Sequence, residues 1–335
     1  MAKTARVKKK RAWELDALRG LAILLVVWDH TMMDAAAIFR YVWLQSDNAR
    51  LIAFSDFASK YYLSDLRFYG WPIFVFLFFF ISGVCTSFSR NNFKRAFKLS
   101  IVALMLTLFT YIIDITMLKD SGYSVFIQFG VLHCFALCLW IYAAMEALLG
   151  LLSPHKKMLK KVESTVLLDF SKDEKDTPEY EEAYDEVYQE AINDTVYKKD
   201  VRNFKILTVT VLSIVFILSI VLNELYNLPL KNVMLGIGHP SDPPTPITGM
   251  FVFTLEWWTA DYFPLLPYFI PFIAGAIIGV LFYSNKKSLL PMLDGKWHYF
   301  LTFPGRYSIF FYLGSQLLAF GIFYLISIPY LENFF

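Results

Sequence analysis

The stretch Trp13-Glu14-Leu15-Asp16-Ala17-Leu18-Arg19-Gly20-Leu21-Ala22-Ile23-Leu24-Leu25-Val26-Val27-Trp28-Asp29-His30 decides the fold class. Carried on to Met33, it is long and apolar enough to cross roughly 30 Å of hydrocarbon as a helix, yet it holds five ionisable groups, Glu14, Asp16, Arg19, Asp29 and His30. A charged side chain at the centre of such a helix costs about 2.5–3.5 kcal/mol on insertion scales, so each is a candidate for chemistry as well as for snorkelling to an interface. Runs of the same kind lie near 15–33, 71–89, 99–118, 124–152, 205–225, 263–284 and 305–328, seven in all. Of 335 residues, 57% are hydrophobic, 18% aromatic and only 18% charged, and the mean hydropathy is +0.47, too apolar for a soluble domain of this size. The expected fold is an all-α integral membrane bundle of about seven transmembrane helices. Gly249–Trp258 is apolar but short and leaves room for an eighth membrane element.

Charge divides the loops. Lys3, Arg6, Lys8, Lys9, Lys10 and Arg11 precede the first run; Arg90, Lys94, Arg95 and Lys98 follow the second; Lys286, Lys287, Lys296 and Arg306 precede the last. The alternate loops carry only Arg40, Arg50, Lys60, Arg67, Lys119 and Lys231, which predicts a cytoplasmic N-terminus and an external C-terminus. Spans 1–4 then occupy 1–152, a charged cytoplasmic insertion 153–203, and spans 5–7 the remainder, 204–335. In the insertion Tyr180, Tyr184 and Tyr188 recur every four residues, as on one face of an amphipathic helix. The basic start, Leu21–Trp28 and Ala35-Ala36-Ala37 also imitate a secretory signal, but Asp16 and Arg19 interrupt it. A net charge of +2, with the cations in short clusters beside apolar runs, gives no nucleic-acid footprint. Cys85, Cys134 and Cys138 sit inside apolar stretches and read as packing residues, not disulfide or metal partners; no metal site is expected.

Arg19 and His30 are eleven residues apart, a rise of roughly 16 Å on a helix, comparable to an extended pantetheine arm. Arg19 falls near the basic end and His30 toward the far end. A snorkelling arginine and an interfacial histidine account for the same spacing.

Arg19-x10-His30 within Leu15-Asp16-Ala17-Leu18-Arg19-Gly20 resembles the Arg/Lys-x10-His signature of the transmembrane acyltransferase superfamily. The wider chain resembles the heparan-alpha-glucosaminide N-acetyltransferase catalytic-domain family and its bacterial relatives, through Phe79-Phe80-Ile81-Ser82-Gly83 to Ser89-Arg90-Asn91, Phe129-Gly130-Val131-Leu132-His133, Asp261-Tyr262-Phe263-Pro264-Leu265-Leu266-Pro267, and Gly305-Arg306-Tyr307-Ser308 to Tyr312-Leu313. The resemblance implies transfer of acetyl from cytoplasmic acetyl-coenzyme A to an extracytoplasmic acceptor, an amino sugar or envelope glycan, in a bacterial cell membrane. It makes His30 the catalytic group: an imidazole titrates near neutral pH and can take a proton from an attacking amine or hydroxyl, or accept the acyl group itself.

Around that centre, Asp34 follows His30 by four residues and is expected to hold the imidazole tautomer. Arg19, Arg90 and Arg95 are the expected phosphate-binding cations, since a planar guanidinium grips phosphate with two hydrogen bonds. Lys94 and Lys98 read as orientation determinants. His133, placed about nine residues into the fourth run and so near the level of His30, and Asp261 are candidates for the acceptor, although an interhelical hydrogen bond is the plainer role for His133. Asp114 and Glu224 near outer helix ends are weaker candidates. The loop 34–69 and its flank, with Trp43, Tyr61, Tyr62, Arg67 and Trp71, has the aromatic content of a sugar-stacking surface or of a membrane-interface belt.

The chain departs from the relatives at Ser315-Gln316, where many carry His-Gln, and in the 153–203 insertion. Two rival classes share its composition: a transporter or flippase whose buried charges line a path, and a non-catalytic membrane scaffold. An oligomer is compatible with all three.

Overall fold

The computed structural model describes residues 12–117, 124–167, 177–225, 248–251, 259 and 261–331. The basic run Lys3–Arg11, Lys119, Lys231 and most of Gly249–Trp258 lie outside them. The helices, in chain order, are α1 (Trp13–Met33), α2 (Arg40–Leu44), α3 (Ala49–Tyr62), α4 (Asp65–Val84), α5 (Asn92–Met117), α6 (Val131–Gly150), α7 (Pro154–Val166), α8 (Pro178–Asn193), α9 (Thr195–Leu225), α10 (Thr248–Phe251), α11 (Leu265–Phe282), α12 (Tyr299–Arg306) and α13 (Ser308–Leu331). Seven of these, α1, α4, α5, α6, α9, α11 and α13, are long and apolar enough to cross a bilayer, α1 being carried on to Ile38 by a π-helical turn. No strand occurs among the described residues. The protein is an all-α integral membrane bundle.

Four span starts differ from the sequence reading by six residues or more; the third span begins at Asn92, not 99, and the fifth at Thr195, not 205. The second span begins at Asp65, not 71, because Ser64 caps the helix there by accepting from the Arg67 N–H, which moves Arg67 from a loop into the bundle. The fourth begins at Val131, not 124, because 124–130 is not helical and Gly130, just before the helix, is extended. The 34–69 segment is itself mostly helical, with Asn48 capping α3 through its side chain.

In a membrane, helices associate by close packing rather than by escape from water. Here α4 and α11 touch through glycines: a Cβ on Gly275 would be driven into the Phe80 carbonyl, and one on Gly83 into the Phe272 carbonyl. A second crossing sets Gly20 of α1 against the Leu301 carbonyl and Gly305 of α12 against the Asp16 carbonyl. The core between α4, α6, α9 and α11 is aromatic, with Phe79 stacked on Phe135 at 3.9 Å between ring centroids. Leu104, Met105 and Leu108 of α5 and Phe310, Leu317 and Leu325 of α13 face outward, as a hydrocarbon solvent requires.

Gly275→Leu is expected to abolish a stable bundle or cost several kcal/mol, because only backbone could move to admit the side chain. Gly314 has open space where a Cβ would go, so Gly314→Ala should leave stability unchanged or slightly raised. Thermal unfolding of both variants in detergent checks the contrast.

In the insertion, α7 buries Met158, Val162 and Val166 against α8 and the start of α9. On α8, Tyr180, Tyr184 and Tyr188 stack in a row, with centroids 6.2 and 6.4 Å apart. At 31 residues, α9 spans about 46 Å, so its first turns project beyond the hydrocarbon and carry the insertion.

Candidate active site

Because α1 is unbroken from Trp13 to Met33, the eleven residues from Arg19 to His30 turn it by about 1100°, which returns His30 to within about 20° of the direction of Arg19. Both project from one face, roughly 16 Å apart along the axis.

At the basic end, Arg19 Nη1 donates to the Gly305 carbonyl at 3.4 Å and Nη2 to Cys85 Sγ. Arg95, from α5, donates to Ser82 Oγ at 3.3 Å and lies close enough to Arg19 and Cys85 to interact with both electrostatically. Two guanidiniums thus flank one thiol. The nearest carboxylate, Asp16, is 3.9 Å from Arg19 and is shared with Arg306 at 3.2 Å. The excess is positive, as an anion site needs. Arg90 is exposed on the adjoining loop. Sequence reasoning chose Arg19, Arg95 and Arg90 and set Cys85 aside as packing; the structure brings the first two together over Cys85, while Cys134 and Cys138 are buried in the core.

At the other end His30 is half-buried, with its ring edge-on to Tyr312 at 5.8 Å. It makes no hydrogen bond to any described residue, so its nitrogens are available to a reactant. The Tyr312 hydroxyl donates to Asp261 Oδ2 at 3.5 Å, which also accepts the Val131 N–H at 3.1 Å. Asp261 has a left-handed backbone, φ 57°, a conformation aspartate tolerates better than most residues. Its Oδ2 occupies the space a Cβ on Gly130 would need, which explains glycine at the entry to α6. Burial pushes the Asp261 carboxyl up to about 7, opposed by the two hydrogen bonds it accepts.

His133 does not lie at the depth its numbering suggested. With α6 starting at Val131 it occupies the first turn, where Nδ1 accepts the Gly130 N–H at 3.2 Å and Nε2 meets Thr107 Oγ1 at 3.1 Å. Both nitrogens are engaged, Nδ1 in capping the start of α6 and Nε2 in tying it to α5.

Asp34 is fully buried, and the expected bond to His30 is absent among the described residues. Its carboxylate instead accepts the Gln316 amide at 2.9 and 3.2 Å. The π-helical turn Asp34–Ile38 begins at this residue and widens the helix, and Gln316 supplies the donor. Four residues separate His30 from Asp34 and Tyr312 from Gln316, so the two contacts are successive rungs between α1 and α13. Trp43 to Ser327 at 2.9 Å and Asn48 to Tyr330 at 3.1 Å continue the ladder, and the two spans run parallel. Tyr312 closes a motif quoted from the sequence, and Gln316 stands in the Ser315-Gln316 departure; neither had a role assigned.

One group was missed. Asp29 accepts from Arg67 Nε at 2.7 Å and Nη2 at 3.1 Å, and from the Tyr61 hydroxyl at 3.2 Å. The Arg67 guanidinium lies 3.8 Å over the Tyr62 ring. The pair fastens α1 to α3 and α4 beside His30. Asp114 accepts the Val125 N–H at 3.0 Å and orders the approach to α6, and Glu224 is exposed near the end of α9.

No cluster of three or more His, Cys, Asp or Glu side chains suited to a metal occurs among the described residues. No curated protein and no solved structure matches the chain. The family described as heparan-alpha-glucosaminide N-acetyltransferase, catalytic, matches residues 11–151 and 194–317, passing over most of the charged insertion and including Arg19, His30, Asp34, Arg95, Asp261, Tyr312 and Gln316. The chain belongs to the heparan-alpha-glucosaminide N-acetyltransferase catalytic-domain family, and membership indicates a transmembrane acetyltransferase.

Proposed function

We propose that the protein takes acetyl from cytoplasmic acetyl-coenzyme A and delivers it to an amino sugar or envelope glycan on the opposite side of the membrane. The observation that carries this reading is the shared face of α1, with paired guanidiniums at the basic end and an unengaged imidazole a pantetheine's length away. The coenzyme's phosphates meet Arg19 and Arg95, with Arg90 at the mouth, and the thioester lies at His30. There the acceptor amine attacks the carbonyl carbon, His30 takes the proton the amine gives up, the carbon–sulfur bond breaks, and the departing thiolate receives that proton from His30 and leaves as coenzyme A. Transfer through an acetylated His30 uses the same nitrogen. Tyr312 and Asp261 orient the acceptor side of the ring, and Gln316 and Asp34 hold α13 against α1. His133 is left to fix the helix that supplies the Val131 N–H.

Arg19→Ala and Arg95→Ala should each raise the KM for acetyl-coenzyme A about tenfold or more, more strongly at low salt, because a charge-assisted phosphate contact is lost while the chemical group is untouched. Initial rates in detergent at two salt concentrations test this. An unchanged KM in both variants would return the arginines to a role in orientation alone.

A further inference from the structure

This inference rests on the acetyl-coenzyme A reading above. If the pantetheine arm runs from Arg19 to His30, the nucleotide end of the coenzyme lies beyond Arg19, level with the first turn of α1 and about 9 Å further along the axis. Trp13 stands at that level. It stacks face to face on His298 at 4.4 Å, and Trp297 meets it edge-on at 5.5 Å. Trp13 and His298 are buried, whereas Trp297 is 61% exposed.

The exposed indole is nevertheless held in place. Its Nε1 donates to the Leu293 carbonyl at 2.9 Å, and its ring meets those of Trp13 and His298 at steep angles, 72° and 78°. The segment carrying it is tied to α1: Trp13 Nε1 donates to the Leu290 carbonyl at 2.9 Å, and the buried Glu14 accepts from Ser288 Oγ at 2.7 Å, Leu289 N–H at 2.8 Å and the Tyr283 hydroxyl at 3.2 Å. His298 Nδ1 is buried with no partner among the described residues. Lys296 is exposed next to Trp297, and Arg306, at the far end of α12, bridges toward Arg19 through Asp16. A fixed, largely exposed indole with a lysine beside it suits an adenine ring carrying a phosphorylated ribose.

We propose that Trp297 is the stacking platform for the adenine of the acetyl donor and that Lys296 meets its ribose phosphate. A tryptophan serving only as a membrane-interface anchor would make no distinction between donors, and that difference gives the test.

The rates of the full-length protein with acetyl-coenzyme A and with S-acetylpantetheine, which lacks the nucleotide, are compared for the wild type, Trp297→Ala, Trp297→Phe and Lys296→Gln. Trp297→Ala should raise the KM for acetyl-coenzyme A about tenfold and leave that for S-acetylpantetheine unchanged, with Trp297→Phe retaining most of the affinity. Lys296→Gln should weaken acetyl-coenzyme A more than its dephospho form. An equal effect of Trp297→Ala on both donors, or none on either, overturns the proposal while leaving the donor reading intact. A wild type that uses S-acetylpantetheine as well as acetyl-coenzyme A overturns it too. A wild type that uses neither donor removes the reading on which it rests.

Discussion

His30→Ala is expected to lower acetyl transfer by about 10²–10⁴-fold, the usual contribution of a positioned acid–base group, while leaving coenzyme A binding close to that of the wild type. Loss of activity without loss of donor affinity follows from the geometry of α1. His30 makes no hydrogen bond to the described residues and touches the bundle through its edge contact with Tyr312, so removing the ring breaks no polar network. The proposed phosphate-binding end, with Arg19 and Arg95, lies roughly 16 Å away along the helix. Arg19→Ala should show the opposite pattern, a raised KM with kcat preserved at saturating donor. Both variants, assayed for turnover and coenzyme A binding in one detergent preparation after confirmation of folding, give the comparison. Wild-type turnover in His30→Ala toward an acceptor that the native protein acetylates would exclude the imidazole from the chemistry and favour a transport role for the buried charges.

The second large effect concerns stability. Arg67→Ala should destabilise the bundle by about 3–5 kcal/mol, because it leaves the Asp29 carboxylate buried without its cation. Asp29 and Arg67 are only 6% and 9% exposed, and the pair is bidentate. Replacing both together, Asp29→Asn with Arg67→Met, should recover most of that loss, since the charge to be compensated is gone. Thermal unfolding of the single and double variants in the same detergent decides it. If the double variant is as unstable as Arg67→Ala, packing of the guanidinium on Tyr62, and not charge, is what the residue contributes.

The spans were legible in sequence because a bilayer demands long apolar helices, and composition alone reports that demand. Arg19 and His30 were legible because, among five ionisable residues in one apolar helix, their spacing matches the Arg/Lys-x10-His pattern. Their common face follows from the 3.6-residue turn once the helix is unbroken. What sequence could not give is partner choice across helices. Asp29 carries no sequence signal of a partner, because Arg67 falls in the expected 34–69 loop; the Ser64 cap that starts α4 early brings the pair together. Asp34 was matched to His30 by spacing on one helix, whereas Gln316, 282 residues away in sequence, takes its carboxylate. His133 shifts by most of two turns because the seven residues before α6 are not helical. Cys85 carries no sequence signal beyond apolar surroundings, and only the meeting of α1, α4 and α5 sets it between two arginines.

The central claim is that acetyl enters on one side of the membrane and leaves on the other. The most direct test is reconstitution into sealed vesicles, with radiolabelled acetyl-coenzyme A outside and glucosamine enclosed as the acceptor. Labelled N-acetylglucosamine should accumulate inside while the donor stays outside, and His30→Ala vesicles should accumulate none. Product formed only when donor and glucosamine share a compartment, or acetyl-coenzyme A recovered intact inside, would contradict it.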